Sequence, residues 1–542
     1  MRIIFLVLSV FLLTYSAKGQ QAFHVMTDKP FYVSGEKMLV SIYNTSSTES
    51  EIVYLELLNQ KNEILKGQLL KRTGKVAFGN FDLPLSWESD WYLLRAYTVN
   101  KTTLAVLNID YQVVPVYNGF DESPAVAYDI VPGDIVSGVS ASFQVRVTPA
   151  QPVKDDNINI EITEKAAMQG EHYSLAVMDE TTFHLWSFFE KYIPDVSTNG
   201  LSSETQSVQV QDQLLCFGKI KDQIGNNLGA FYIPEEGTFS FVSFNEAGVF
   251  GIEMPDFYGQ KHGQLLNIEP LGGFSLLEPE IIHPSSGITA PDVSYPELPY
   301  PQALVDYLEL SRKRRIIDDL FDKKVEKFSD PPIPFSSFVK PDKRYVPENY
   351  VRFTDIKDFI TEVANLIKFR TTEKGEELRL LLEKNKLGKH MPALFLNNFL
   401  VTNIEELMRI PIDELERIDI YRREKTLLSQ FGILGRNGVV AFFTKKAKSE
   451  SSFRNGVVVQ GLSSAKSELT PIISVGLPTF SPLLYWNGNI DLEGKSQGVF
   501  SFELTDDQGT YYVLIQKTSE KGMERSVADF LISSIHKEEN KE

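Results

Sequence analysis

The sequence predicts a mainly β protein: several antiparallel β-sandwiches, plus a small α+β domain and a Pro-rich helical linker. Three observations carry this expectation. Short apolar stretches with period-two alternation recur along most of the chain, between turns marked by Gly, Pro, Asn and Asp. The chain has 542 residues, of which 42% are hydrophobic, enough for three or four domains each with its own core. Near residue 275 the character changes to clustered prolines around one segment of helical period.

Lys and Arg number 54 against 72 Asp and Glu, a formal charge of −18. This argues against non-specific nucleic-acid binding, which rests on neutralising phosphates with cations. Met1–Gly19 combines a basic Arg2, an apolar run from Ile3 to Leu13 and small residues at Ala17 and Gly19. It reads as a secretory signal peptide cut before Gln20, and the run is too short to span a bilayer of about 30 Å. No Cys follows that run, which excludes a lipoprotein anchor. Cys216 stands alone, so export is not accompanied by an intrachain disulfide, and stability must come from packed cores. Within the apolar run Leu214–Ile220, Cys216 reads as a buried small hydrophobe.

The first unit, residues 20–118, opens with Thr27-Asp28-Lys29-Pro30-Phe31-Tyr32-Val33-Ser34-Gly35-Glu36. Met38, Val40 and Ile42 then alternate as in a half-buried strand, and Asp90–Thr98 form another apolar strand. These segments closely resemble the second macroglobulin domain of the alpha-2-macroglobulin superfamily, which implies a seven-stranded sandwich. Residues 119–205 read as a second macroglobulin-like sandwich, from Phe143–Val147, Ile158–Ile162 and Tyr173–Glu180. There the adjacent carboxylates Asp179 and Glu180 fit a solvent-facing strand end, because neighbours on a strand point to opposite faces. Residues 206–275 form a third sandwich, similar to carboxypeptidase-regulatory-like or macroglobulin-like domains.

Residues 276–349 are the Pro-rich and helical linker. Pro291, Pro296, Pro299 and Pro301 precede an amphipathic helix over Ala303–Phe328, with Leu304, Leu308, Ile316, Leu320 and Val325 on one face. Its run Arg312-Lys313-Arg314-Arg315 reads as a solvated face balanced by Asp318 and Asp319, with an acidic surface or lipid headgroups as the alternative.

Residues 350–448 begin with a helix face (Ile356, Phe359, Ile360, Val363, Leu366 and Ile367) and a hairpin between Ile367–Thr371 and Leu378–Leu382. Pro392–Lys446 then reads as strand, Asn397-Asn398 turn, short helix, strand, Gly-punctuated loop and last strand. Pro411 with Ile418 and Ile420 mark the middle element. Gly432, Gly435, Asn437, Gly438, Thr444 and Lys445 mark the last. This order resembles the plug domain of TonB-dependent outer-membrane receptors. Those glycines fit turns needing positive φ better than a nucleotide loop.

The family's barrel would need about 22 strands of roughly 10 residues each, and 96 residues follow Lys446. Residues 449–542 resemble a macroglobulin-like β segment instead, through Leu483–Asn487, Gly498–Glu503 and Gly509–Ile515. The resemblance thus implies a barrel-less plug carried by exported sandwiches, a combination characteristic of Bacteroidota. In function it implies a periplasmic accessory protein whose plug-like domain docks on or occludes an outer-membrane β-barrel protein, in a transport or secretion complex such as the type IX translocon. The alternative is a free-standing binding protein for proteases, peptides or glycans.

No catalytic motif emerges: no HExxH, GxSxG or CxxC. Gly494-Lys495-Ser496 lacks the earlier glycine of a phosphate loop, and Ser463-Ser464-Ala465-Lys466 sits in a small-polar stretch. Seven scattered histidines show no ligand spacing. The macroglobulin thioester sequence Gly-Cys-Gly-Glu-Gln is missing too, since Cys216 precedes Phe217-Gly218-Lys219. The sequence therefore predicts no enzyme, no cofactor and no metal.

Overall fold

The computed structural model describes residues 23–44, 50–121, 143–152, 157–164, 172–194, 196, 211–221, 228–268, 274–289, 291–321, 338–372, 375–445, 456–471, 477–490, 497–519 and 522–532. The leader and Gly494-Lys495-Ser496 lie outside them. The chain divides into two compact units, one of residues 1–212, 287–329 and 463–542, the other of 213–286 and 330–462.

In the first unit, the N-terminal sandwich packs a sheet of Phe23–Thr27, Lys37–Asn44 and Val76–Asp82 on a five-stranded one. The latter runs in the order Tyr32–Val33, Val106–Tyr117, Asp90–Val99, Ile52–Leu58, Ile64–Lys71. Met38, Val40 and Ile42 enter its core with Leu55, Leu94 and Val114. The strand Lys37–Asn44 is not half-buried as expected. Leu39, on its other side, packs with Met178, Trp486 and Leu514, so a neighbouring sheet covers the outward face as well.

That neighbour is a sandwich made from two distant parts of the sequence. Asn157–Glu164 pairs with both Phe143–Thr148 and Gln497–Glu503, placing Ile160 opposite Val147 and Phe500. His172–Asp179 lies between Leu483–Ile490 and Gly509–Ser519, with Ala176 opposite Trp486 and Leu514. The stretches expected as separate pieces within 119–205 and 449–542 thus share one core, including Ile158, Tyr173, Val177, Tyr485 and Val513. Either piece alone would leave each sheet with no more than two-stranded ribbons, which are marginal in water, so the pairing completes both sheets.

Helix α1, Glu180–Tyr192, starts where the sequence suggested a solvent-facing strand end. Asp179 is its N-cap, accepting from the Thr182 N–H at 2.8 Å. Helix α2 spans Gln302–Leu320, and the expected continuation to Phe328 falls outside the described residues. Leu304 and Leu308 are buried with Phe31, Val33, Tyr117, Leu185 and Phe189, while Ile316 and Leu320 are exposed. The proline segment before α2 lies along the N-terminal sandwich. Trp91 Nε1 donates to the Pro296 carbonyl at 2.7 Å, and Tyr117 OH donates to that of Pro299 at 2.8 Å. Buried Trp and Tyr need such partners, so the segment from Val293 to Leu308 belongs to a core of the first unit.

The basic run of α2 is likewise more than a solvated face. Arg314 is 8% exposed and Nη2 sits 3.3 Å from Asp179 Oδ2 and 3.2 Å from Asp507 Oδ1. Arg315 Nη2 donates to the Ser34 carbonyl at 2.6 Å. Arg312 and Lys313 remain exposed.

In the second unit, a sandwich is built from Val249–Met254, Leu214–Ile220 and Pro279–Ile281 facing Thr238–Ser243, Leu228–Ile233, Gln260–Ile268 and Phe274–Leu277. Val457–Gln460, expected with the C-terminal segment, pairs instead with Gln260–Gly263. The described residues between 338 and 445 form the α+β module.

Candidate functional site: the α+β module

The module is a five-stranded mixed sheet ordered Lys343–Tyr345, Leu415–Tyr421, Val439–Thr444, Ala393–Leu396, Phe399–Val401. Its central pair, Ala393–Leu396 and Val439–Thr444, runs parallel. Both strands read as unbroken apolar runs, the pattern of strands covered on both faces.

One face carries Leu394, Leu396, Ile418, Ile420, Val440 and Phe442. It packs under helix α3 (Ile356–Glu362) and the hairpin Ile367–Thr372/Gly375–Leu380. Asp355 caps α3 by accepting from the Asp358 N–H at 2.9 Å. The other face carries Ala393, Phe395, Tyr421, Val439 and Ala441 and packs on Ala230, Tyr232, Leu266 and Ile268 of the adjoining sandwich. Polar contacts fix that junction. Buried Gln264 bonds both ways with Leu400, donating to its carbonyl at 3.0 Å and accepting its N–H at 2.8 Å. Tyr232 OH donates to the Asn398 carbonyl at 2.7 Å, and burial raises its phenol pKa.

The sequence-marked residues divide by role. Asn397 and Asn398 form the two-residue turn between Ala393–Leu396 and Phe399–Val401, with φ of 48° and 70°, a conformation Asn tolerates unusually well. Asn397 bonds across to Thr444, and Lys445 N donates to the Glu414 carbonyl at 2.9 Å while its Nζ pairs with Glu348 at 2.7 Å. Pro411 lies after the short helix α4, Ile404–Met408, and its carbonyl accepts from Glu414 N at 3.0 Å. Asn437 is buried and its Oδ1 accepts from His390 N at 3.3 Å. Gly438 has φ +85°, and a Cβ there would stand 2.3 Å from Leu380 Cδ2. Gly435 has no room for a Cβ either, at 2.7 Å from the Leu427 carbonyl. Gly432, at φ +51°, ends a helix α5, Glu424–Phe431, where a Gly-punctuated loop was expected. Leu427 and Phe431 anchor α5 in the junction core, an i, i+4 pair too short to signal a helix by period alone.

Pairs that sequence reading missed hold the sheet edge. Arg344 forks onto buried Asp419 at 2.6 and 2.8 Å, and these hydrogen bonds raise the guanidinium pKa further. In the adjoining sandwich, Glu235 Oε1 lies 2.5 Å from His262 Nδ1 and accepts the His262 N–H at 3.0 Å. That carboxylate secures a turn rather than activating a nucleophile. Cys216 is 3% exposed, and burial pushes its thiol up to about 12, far from a thiolate at neutral pH. Among the described residues no group of three or more His, Cys, Asp or Glu is placed to hold a metal.

No family model matches the sequence, and no curated protein does. Solved structures do show likeness. Salmonella alpha-2-macroglobulin reacted with methylamine is similar at 8% identity and a TM-score of 0.24, over 95% of this chain and 39% of that one. Native Escherichia coli alpha-2-macroglobulin gives 8% and 0.24, over 96% and 40%. Red sea bream transglutaminase gives 8% and 0.15, over 51% and 33%. The chain therefore spans about two fifths of the length of these macroglobulins. TM-scores of this size leave the fold to be defined by the strand pairing above.

Proposed function

We propose that the protein is a non-enzymatic binding protein of the cell envelope, exported by its N-terminal leader, whose plug-like module docks on an outer-membrane barrel formed by another chain. The observation that supports this most directly is the closure of the module's sheet on both faces by its own unit. A module so closed stands without a surrounding barrel and presents loops and edges, not a bare sheet, to a partner. The fused sandwich on one face enlarges whatever would have to enter a lumen, which favours docking at a pore mouth, as an accessory subunit of a transport or secretion complex, over filling the pore.

The test is native purification of a tagged chain from detergent-solubilised envelopes, followed by mass spectrometry. Co-purification of a β-barrel protein is the expected result, and its repeated absence would remove the docking reading. A free-standing binding protein for proteases, peptides or glycans is the second reading, supported by the sandwiches that make up most of the described strands. Fractionation separates the two: a pool released entirely by osmotic shock and untouched by membrane extraction favours the second.

A further inference from the structure

Residues 330–462 carry 22 Lys and Arg against 18 Asp and Glu, a positive balance inside a chain of net charge −18. The topology gathers much of this excess at one end of the module's sheet. Lys343 pairs with Ile420, Tyr421 with Val439, and Val439 with Ala393, so the segments flanking these positions emerge together. Direct contacts lock them into one surface. Arg422 Nη2 donates to the Leu382 carbonyl at 2.6 Å, Glu424 N donates to Glu383 Oε2 at 3.3 Å, and His390 N reaches Asn437 Oδ1. Asp342 accepts from the N–H groups of Arg422 and Arg423, at 2.6 and 2.8 Å, and also pairs with Arg423 Nε at 3.2 Å.

Asp342 is thereby used internally. Lys340, Lys384, Lys386, Lys389, Lys425 and Arg436 are exposed at this end and have no ion-pair partner among the described residues. Only Glu383 and Glu424 oppose them from the same loops. At the sheet's other end Glu405, Asp413, Glu414 and Glu416 are exposed, and the cations Arg409 and Arg417 are held by Glu405 and Glu416. Exposed aliphatic groups stand among the free cations: Leu387 at 39%, Leu428 at 65% and Ile433 at 37%.

We propose that this end of the plug-like module is a peripheral binding surface for a bilayer bearing anionic headgroups. The cations without partners are nearly all Lys, compact charges that attract phosphate without demanding a fixed bidentate geometry. The interspersed Leu and Ile side chains gain by entering the headgroup boundary beneath the phosphates. Exposed charges interact appreciably only within about 8 Å at physiological salt, so the cations of this surface set its local attraction more than the net charge of the chain does. The inference stands on this charge and apolar arrangement and does not need a barrel partner.

The test uses residues 20–542, so that the apolar leader does not itself bind lipid, with phosphatidylcholine vesicles either neutral or containing about one third phosphatidylglycerol. Co-sedimentation should favour the anionic vesicles at least about tenfold and weaken as salt rises. The K384E/K386E/K425E variant should lose on the order of a hundredfold in affinity, and a milder K384Q/K386Q/K425Q set should fall between. Circular dichroism checks that both remain folded. Leu428→Ser should weaken vesicle binding while leaving any binding to soluble polyglutamate unchanged. Equal affinity for neutral and anionic vesicles, or binding indifferent to the lysine changes, would overturn the proposal. So would binding to polyglutamate but not to vesicles, which would assign the surface to an acidic protein. Because no barrel is present, failure here leaves the docking reading untouched, and the converse also holds.

Discussion

Asn397 and Thr444 hold each other by two hydrogen bonds. Asn397 Nδ2 donates to Thr444 Oγ1 at 2.8 Å, and the Thr444 N–H donates to Asn397 Oδ1 at 2.9 Å. Asn397 N also donates to the Phe442 carbonyl at 2.9 Å, so the tight turn is tied to the end of the neighbouring strand. Two residues 47 positions apart set the register of the module's central pair.

Asn397→Ala removes both side-chain bonds and places a Cβ-bearing residue without local polar compensation at positive φ. The expected loss is about 2–3 kcal/mol. Asn397→Gly gives up the same bonds but not the backbone conformation, so it should cost about 1 kcal/mol less. Urea denaturation monitored in the second unit checks the order; equal losses would mean that the turn conformation contributes nothing.

Arg314 stands between Asp179 and Asp507, and burial raises the Asp507 carboxyl while Arg314 works to lower it. Arg314→Met strands both carboxylates without their cation, and about 3–5 kcal/mol of stability should be lost at neutral pH. The penalty belongs to the ionised carboxylates. It is present above the raised folded pKa of Asp507 and shrinks as pH falls through it. Denaturation midpoints at neutral and mildly acidic pH should therefore converge with those of the unaltered protein as acid is added.

Asp28 is buried, with its carboxyl pushed up to about 6 by burial, although Leu39 N–H donates to it at 2.9 Å and Tyr32 OH also donates to it. Between its unfolded and folded pKa values the native state binds more protons, so this group lowers stability as pH rises from about 4 to about 6. The effect is on the order of 2–3 kcal/mol and persists above that window. Asp28→Asn keeps an acceptor for both donors and abolishes this component. The stability difference between variant and parent should grow with pH across the window and then level off. A constant difference would refute the assignment.

Cys216, buried in Leu214–Ile220, should react with a thiol reagent on the order of a thousandfold more slowly in the native protein than in urea. Matching rates would mean that this strand opens freely.

The local grammar of the chain was legible because it depends on neighbours in sequence. The Asn397-Asn398 turn, the hairpin centred near Gly375, and the alternation of Phe143–Val147 and Ile158–Ile162 each follow from backbone preference and side-chain period. Helix α5 was not legible. Its eight residues hold only two buried side chains, Leu427 and Phe431, and Gly432 follows directly. Asp179 was misjudged for a related reason: capping a helix and facing Arg314 depend on what the next segments do.

By itself the sequence determined that this is a mainly β protein with an α+β stretch, a single cysteine in an apolar run and an acidic balance. Those properties are sums or short-range patterns. Tertiary structure alone decided that the described strands within 143–179 and 483–532 complete one sandwich, that the proline segment before α2 lies in a core, and that both faces of the module's sheet are closed. It also decided where the cations of residues 340–436 meet. Each of these joins segments tens to hundreds of residues apart, and such pairings are selected by the apolar area they remove from water together, a quantity that no local stretch contains.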